Sequence, residues 1–336
     1  MTRIAINGLG RMGKLVLRRL IDQGCGGEIV LLNDPAATPE VHAHLLEFDT
    51  VHGRWDATIS HGVDTMLING NEMQFCQSRS LEELPLEDMD IDLVIDCTGV
   101  FKSEAKLAPY FAAGVKKVVV SAPVKEASVA NIVYGVNHDS FDPAIHRIVT
   151  AASCTTNCIA PVVKVIHESL GIEQASFTTI HDVTNTQVIV DKAHKDMRRA
   201  RSALNSLIPT TTGSAKAIIQ IFPELAGRID GHAVRVPLLN ASLTDIVFDV
   251  RRDTDIDEVN ALFEAASKGG LAGILGYETR PLVSADYTDD DRSSIVDGPA
   301  TMVVNKRQVK VFAWYDNEWG YACRLADVAN MVMATL

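Results

Sequence analysis

Short unbroken apolar runs recur up to about residue 150, and helical patterns separate them. Ile4-Ala5-Ile6-Asn7, Ile29-Val30-Leu31-Leu32-Asn33, Leu93-Val94-Ile95-Asp96 and Val118-Val119-Val120-Ser121 are the clearest. Runs of this length without polar alternation mark parallel strands covered on both faces. Helical patterns over 11–22 and 104–113 fall between them. Repeated strand–helix–strand units predict an α/β fold with a doubly wound parallel sheet.

The pattern then changes. Residues 242–250 alternate polar and apolar side chains, as do 301–304 and 309–314. Alternation predicts a mixed or antiparallel sheet, hence a second domain of α+β type. The closing segment, 321–336, reads as a helix. The expected organisation is a dinucleotide-binding domain over 1–152 and a catalytic domain over 153–317. A C-terminal segment, 318–336, is expected to pack back on the first domain. Asp289-Asp290-Asp291 reads as a solvated loop.

Chemistry enters at the first strand–helix junction. Gly8-Leu9-Gly10-Arg11-Met12-Gly13 fits G-x-G-x-x-G between a strand and a helix. Glycines there permit a tight turn and close approach of the backbone to a pyrophosphate. The helix N-terminus supplies free amides. The second strand ends at Asp34, about 20 residues on, where a carboxylate meets an adenosine ribose. Thr98 and Gly99 follow the third strand, and Ser121 closes the fourth. Both segments are expected to line the same crevice.

Ser153-Cys154-Thr155-Thr156-Asn157-Cys158 lies between the apolar run 148–150 and a helical pattern from Ile159 to Leu170. Ser153 suits an N-cap, which places Cys154 at a helix N-terminus where the dipole favours an anionic sulfur. The polar residues around it argue against a core position. Cys158, one turn on, reads as a buried, inert thiol. A nucleophilic cysteine needs a base or cation beside it. His181, at the end of a strand-like run, is one candidate, and His194 and His232 are others.

Three segments suit oxyanions. Residues 194–201 hold Lys195, Arg198, Arg199 and Arg201. Thr210-Thr211-Thr212-Gly213-Ser214 precedes a helical run, a phosphate-nest arrangement. Arg235 is a lone charge in an apolar strand and needs an anion.

Composition narrows the setting. The 336 residues carry a formal net charge of −12, which disfavours nucleic-acid or anionic-membrane surfaces. No apolar stretch is long enough for a membrane span. The first residues lack the zones of a signal peptide, and the six scattered cysteines show neither disulfide nor zinc spacing. A cytoplasmic enzyme without a structural metal is expected.

Together the segments Asn7-Gly8-Leu9-Gly10-Arg11, Ala152-Ser153-Cys154-Thr155-Thr156-Asn157, Thr184-Asn185-Thr186-Gln187, Pro209-Thr210-Thr211-Thr212-Gly213, Arg235-Val236-Pro237 and Trp314-Tyr315-Asp316-Asn317-Glu318 resemble phosphorylating glyceraldehyde-3-phosphate dehydrogenase over the whole chain. The resemblance implies oxidation of D-glyceraldehyde 3-phosphate, with Cys154 as nucleophile and His181 as its proton partner. It implies NAD held by Gly8, Gly10, Arg11, Met12, Gly13, Asp34, Thr98, Gly99, Ser121 and Asn317, the last on the nicotinamide carboxamide. Thr184 and Arg235 match binders of the substrate phosphate. Ser153, Thr155, Thr212 and Gly213 match the inorganic-anion site, with Arg199 beside both. The family implies a homotetramer in which a loop over roughly 181–207 reaches a neighbour's cofactor site.

Departures from the family pattern lie at Asp182-Val183, where a small residue and a tyrosine are usual, and at Leu238-Leu239-Asn240-Ala241. Lys192-Ala193 replaces a common Leu-Pro, which leaves NADP open beside NAD. The first two departures resemble a branch associated with arsenic resistance, in which arsenate replaces phosphate as the attacking anion. Two other readings remain: an erythrose-4-phosphate dehydrogenase, and a nucleotide-binding redox sensor without turnover. The intact Thr210–Gly213 segment weighs against the first. The set His181, Arg235 and Asn317 weighs against the second.

Overall fold

The computed structural model describes residues 2–336, which divide into two compact units. One runs to Ser153 and adds Ala322–Leu336; the other is Cys154–Tyr321.

The first unit is built on a sheet that is nine-stranded among the described residues. Its centre is Lys117–Val120, Leu93–Asp96, Ile4–Asn7 and Ile29–Asn33, all parallel. These are the four apolar runs of the sequence, and their residues are buried except the half-buried Val30. Continuous burial is why they lack alternation. Helix Arg11–Asp22 covers the sheet with Leu15, Val16, Leu17 and Leu20. Ile148–Thr150 and Ala130–Asn131 extend the sheet on one side. Asn71–Cys76 adds a parallel strand on the other side, and Thr65–Ile68 and Ile59–His61 follow it as an antiparallel edge.

The second unit carries a mixed sheet in the order Ile208–Thr211, Ile229–Arg235, Ile172–His181, Ser242–Val250, Gln308–Tyr315, Ser294–Asp297 and Leu275–Glu278. Ser242–Val250 alternates buried and half-buried residues along its whole length and pairs antiparallel with both neighbours. The polar alternation in the sequence is this half-buried face. Helix Cys154–Leu170 packs on the sheet through Cys158, Ile159, Val162, Val163 and Ile166, all fully buried. The closing helix is Trp319–Met333, two residues earlier at its start than the sequence pattern suggests.

The acidic cluster at 289–291 lies on a loop, with Asp289 and Asp291 exposed. Asp290 is half-buried and grips Arg292 through Nε (2.9 Å) and Nη2 (2.5 Å). The Asp289 N–H donates to Asp316 Oδ2 at 2.8 Å. Of the three acids Asp290 turns in to an arginine, and the chain reverses at Asp289 (φ 66°).

No described helix is long and apolar enough to cross a membrane.

Candidate active site

The chain enters the Cys154 helix through Ala152, whose φ of 52° lies in the left-handed region. That conformation costs an alanine about 1 kcal/mol or more, and such strain concentrates at functional turns. Cys154 then opens the helix Cys154–Leu170, half-buried, with its sulfur 3.6 Å from His181 Nε2. His181 is the last residue of the strand Ile172–His181. His194 and His232, the other candidates, are exposed on a loop and on the strand Ile229–Arg235.

Strand register sets what surrounds the imidazole. Ile229–Arg235 pairs in parallel with Ile172–His181 so that Arg235 is opposite His181. Arg235 Nη1 lies 2.7 Å from His181 Nδ1 and donates to the Asp182 carbonyl at 2.9 Å. Asp182 Oδ1 lies 2.7 Å from the same Nδ1. The Tyr315 ring stands edge-on to the imidazole at 6.0 Å. Burial works against charge on His181, yet the Asp182 carboxylate and the Cys154 sulfur push it up to about 9.

Asp182 is fully buried. Its N–H donates to Ser242 Oγ at 3.2 Å, and the Ser242 hydroxyl is shared between Asp182 Oδ1 (3.3 Å) and Asn317 Oδ1 (3.1 Å). With its carbonyl accepting from Ser242, the Asn317 side chain also hydrogen-bonds the Asp182 carboxylate through its amide N–H₂. Burial raises the Asp182 carboxyl, against the opposing hydrogen bond and charge of His181.

Sequence reasoning gave no role to Tyr315 or Ser242. The Tyr315 hydroxyl, fully buried, meets Thr155 Oγ1 at 3.1 Å and Thr179 Oγ1 at 2.8 Å, which ties the first turn of the Cys154 helix to the sheet. The available signal was the run of buried-phase threonines, Thr179 and Thr244, inside otherwise apolar strand positions. Cys158 is fully buried against Thr244, Ser294 and the Ala313 carbonyl, and burial pushes its thiol up to about 12. Such a thiol is inert.

Of the four cations in 194–201, Arg199 alone is tied to the threonine segment, its Nε donating to Thr210 Oγ1 at 2.9 Å. Arg201 pairs with Asp191 at the surface, and Lys195 and Arg198 are exposed. Thr212 Oγ1 receives the Ser214 N–H at 3.2 Å, and Gly213 precedes the helix Ser214–Ile221. Arg235 Nε is buried and finds no hydrogen-bond partner, a donor that an anion would satisfy. Val183 N–H donates to the Leu238 carbonyl at 3.0 Å, which joins the turn leading to Thr184 to the segment after Arg235.

The first unit presents the dinucleotide motif as a cradle. A Cβ on Gly8 (φ 92°) would come within 2.7 Å of the Thr98 backbone nitrogen, and one on Gly13 within 1.8 Å of the Gly8 carbonyl. Gly10, in contrast, faces open space and precedes the helix Arg11–Asp22. Close packing at two glycines and clearance at the third is the arrangement a pyrophosphate needs. Asp34 ends its strand with Oδ2 accepting from Leu9 N–H (2.7 Å) and Oδ1 from Ala36 N–H (2.8 Å), so the carboxylate is held at the motif. Thr98 and Gly99 follow the strand Leu93–Asp96, where Thr98 Oγ1 donates to Asp96 at 2.7 Å. Ser121 N–H donates to the Asp96 carbonyl at 2.9 Å. Arg11 turns its guanidinium to Asp49, holding that carboxyl at about 2, so its side chain is spent on the fold.

Residues 2–104 match the NAD-binding domain model of glyceraldehyde 3-phosphate dehydrogenase, and residues 153–317 match the C-terminal domain model of the same enzyme. The chain belongs to the glyceraldehyde-3-phosphate dehydrogenase family. It is 55% identical to glyceraldehyde-3-phosphate dehydrogenase 3 of Nostoc over 99% of both chains. It is 47% identical to glyceraldehyde-3-phosphate dehydrogenase of Pseudomonas aeruginosa over 99% of this chain and 98% of that one. Glyceraldehyde-3-phosphate dehydrogenase 2 of Bacillus subtilis is 45% identical over 99% and 97%.

Membership in this dehydrogenase family makes the chain an NAD-dependent oxidoreductase, and the glycine cradle fits that cofactor. Within the C-terminal unit the structure brings Cys154, His181, Arg235 and Asn317 into one connected network. Thr184 lies on the exposed turn beyond His181, bonded to Thr186 and Gln187. Arg199 and the Thr210–Gly213 segment form a second cluster.

Proposed function

We propose that the chain oxidises D-glyceraldehyde 3-phosphate through a covalent adduct on Cys154 and passes the acyl group to an inorganic oxyanion. The observation that carries this reading is the 3.6 Å approach of the Cys154 sulfur to His181 Nε2 at a helix N-terminus.

The Cys154 thiolate attacks the aldehyde carbon, a C–S bond forms, and the carbonyl electron pair moves to oxygen. His181 supplies the proton that this oxygen takes, giving a thiohemiacetal. NAD, which Gly8, Gly10, Gly13 and Asp34 would hold, would supply the acceptor for the hydride that the thiohemiacetal carbon gives up. His181 takes the hydroxyl proton back, leaving a thioester on Cys154. An oxygen of the inorganic anion then attacks the thioester carbon, and the sulfur leaves as thiolate. Arg235 and Thr184 would hold the substrate phosphate. Arg199, Thr155, Thr212 and Gly213 would hold the attacking anion, with Ser153 beside the nucleophile. A preorganised cationic pocket favours the anion over water.

With phosphate the product is 1,3-bisphosphoglycerate; with arsenate it is 1-arseno-3-phosphoglycerate. Asp182 and the exposed Leu238 and Leu239 favour the arsenate reading, because they are the departures shared with the arsenic-resistance branch. Arsenate is nearly isosteric with phosphate, so the same cluster takes either. Ile189, Val190, Met197, Leu204 and Leu207 are exposed on the loop after His181, which supports a homotetramer that covers them. We assign the enzyme to the cytoplasm.

The test is an assay with glyceraldehyde 3-phosphate, NAD or NADP, and phosphate or arsenate, read as NADH or NADPH absorbance. Reduced cofactor that depends on an added anion supports the reading. No reduced cofactor from wild type sinks it. The ratio of kcat/KM for the two anions decides between phosphate and arsenate.

A further inference from the structure

We propose that Asp182 is the positioning residue of a Cys154–His181–Asp182 triad. Its carboxylate accepts a hydrogen bond from the Nδ1–H of His181 and fixes the ring with Nε2 toward the Cys154 sulfur. The inference rests on the reading of Cys154 as nucleophile and His181 as its proton partner.

Three groups contend for Nδ1: Asp182 Oδ1 and Arg235 Nη1, each at 2.7 Å, and the Asp182 backbone carbonyl at 2.9 Å. A guanidinium only donates. If Nδ1 accepted from Arg235, its lone pair would face a carboxylate oxygen at contact distance with no proton between them. If Nδ1 carries a proton, both Asp182 oxygens facing it can accept the hydrogen bond, the carboxylate Oδ1 being the nearer and the charged one, and the Asp182 carbonyl still accepts from Arg235 at 2.9 Å. Only the second arrangement satisfies every one of these groups. It also leaves Arg235 Nε for the substrate anion.

Charge gives the same answer. Imidazolium and guanidinium side by side repel one another unless an anion offsets them. Before substrate arrives, Asp182 is that anion. The groups facing His181 are Cys154 from its helix, Arg235 from the adjacent strand, Tyr315 from Gln308–Tyr315, and Asp182 itself. Cys154 and Asp182 favour the imidazolium, and Arg235 opposes it. Burial keeps the Tyr315 phenol neutral. Around Asp182 stand Ser242, Asn317 and Glu318.

Asp182 also bears a cost that packing alone does not explain. Its second oxygen, Oδ2, is buried without a hydrogen-bond partner. A buried, half-satisfied carboxylate destabilises a fold. Its place against the imidazole supplies the compensating function.

The test uses the full-length protein with ¹⁵N-labelled histidine. Nuclear magnetic resonance of wild type at neutral pH should show a downfield proton on His181 Nδ1, and Nδ1 should stay protonated when Nε2 loses its proton under alkaline conditions. In Asp182→Asn the His181 titration should move down by about one pH unit or more, and the alkaline limb of kcat/KM should move with it. The pH profile of Cys154 alkylation by iodoacetamide should move down with it by the same unit. An unprotonated Nδ1 in wild type at neutral pH overturns the triad. So do profiles of Asp182→Asn that superimpose on wild type. The wild-type spectrum needs no variant, so it decides the matter even if Asp182→Asn misfolds. The spectrum and the alkylation need no turnover either. A wild type that reduces no NAD therefore sinks the dehydrogenase reading alone, and the triad still stands or falls on the Nδ1 proton.

Discussion

Parallel register sets Arg235 directly opposite His181, with Arg235 Nη1 2.7 Å from His181 Nδ1. A guanidinium that close to the imidazole of the proposed proton carrier is tolerable only if it also has an anion to bind. Burial already pulls Arg235 down from the ordinary guanidinium range.

Arg235→Ala removes a charged donor from the proposed phosphate site. Hydrogen bonds to charged groups contribute about 1.5–3 kcal/mol, so kcat/KM for glyceraldehyde 3-phosphate should fall about 10- to 100-fold. Arg235→Lys should recover little, because an ammonium lacks the planar fork that reaches carbonyl and anion together. Steady-state kinetics of both variants check this; a lysine variant with wild-type kcat/KM would contradict it.

The pH dependence follows from His181. Its protonated form supplies the proton to the adduct oxygen, so activity should persist through neutral pH and fall as pH rises through about 9. The same raised value stabilises the fold. That contribution is complete below about 6.5, the unfolded value, and is lost as pH rises through about 9. A pH–rate profile and Tm measured across this window should decline together. An alkaline limb near 6.5 would refute the assignment.

Much of this was legible in the sequence because it is local. The four central strands are continuous apolar runs, and the glycine motif sits between a strand and a helix in contiguous residues. The choice of His181 over His194 and His232 was open to residue-by-residue reading, since proximity to Cys154 depends on the pairing of distant strands. Only the resemblance to the family chose it. The contacts of Tyr315 with Thr155 and Thr179 join three separate elements, so no spacing announces them. The charge run at 289–291 is a loop as read, but charge density in sequence says nothing of Arg292 folding back on Asp290. The antiparallel edge at 59–68 escaped for another reason: its strands are short and partly polar, as edges are.

Gly13→Ala tests the cofactor cradle. Its Cβ would lie 1.8 Å from the Gly8 carbonyl, which forces the strand–helix turn apart. Overpacking of this kind costs about 1–3 kcal/mol. Calorimetry should show a lowered Tm, and titration should show weakened NAD binding, while the alkylation rate of Cys154 stays near wild type. Unchanged NAD affinity would mean that the turn does not hold the pyrophosphate.

The central claim is the covalent acyl intermediate on Cys154. The direct measurement is mass spectrometry of protein quenched after mixing with glyceraldehyde 3-phosphate and NAD in the absence of phosphate and arsenate. The account predicts an acyl adduct on the peptide containing Cys154, discharged on adding either anion and absent from Cys154→Ser. NADH formation with no adduct on Cys154, or an adduct that persists in Cys154→Ser, would contradict it.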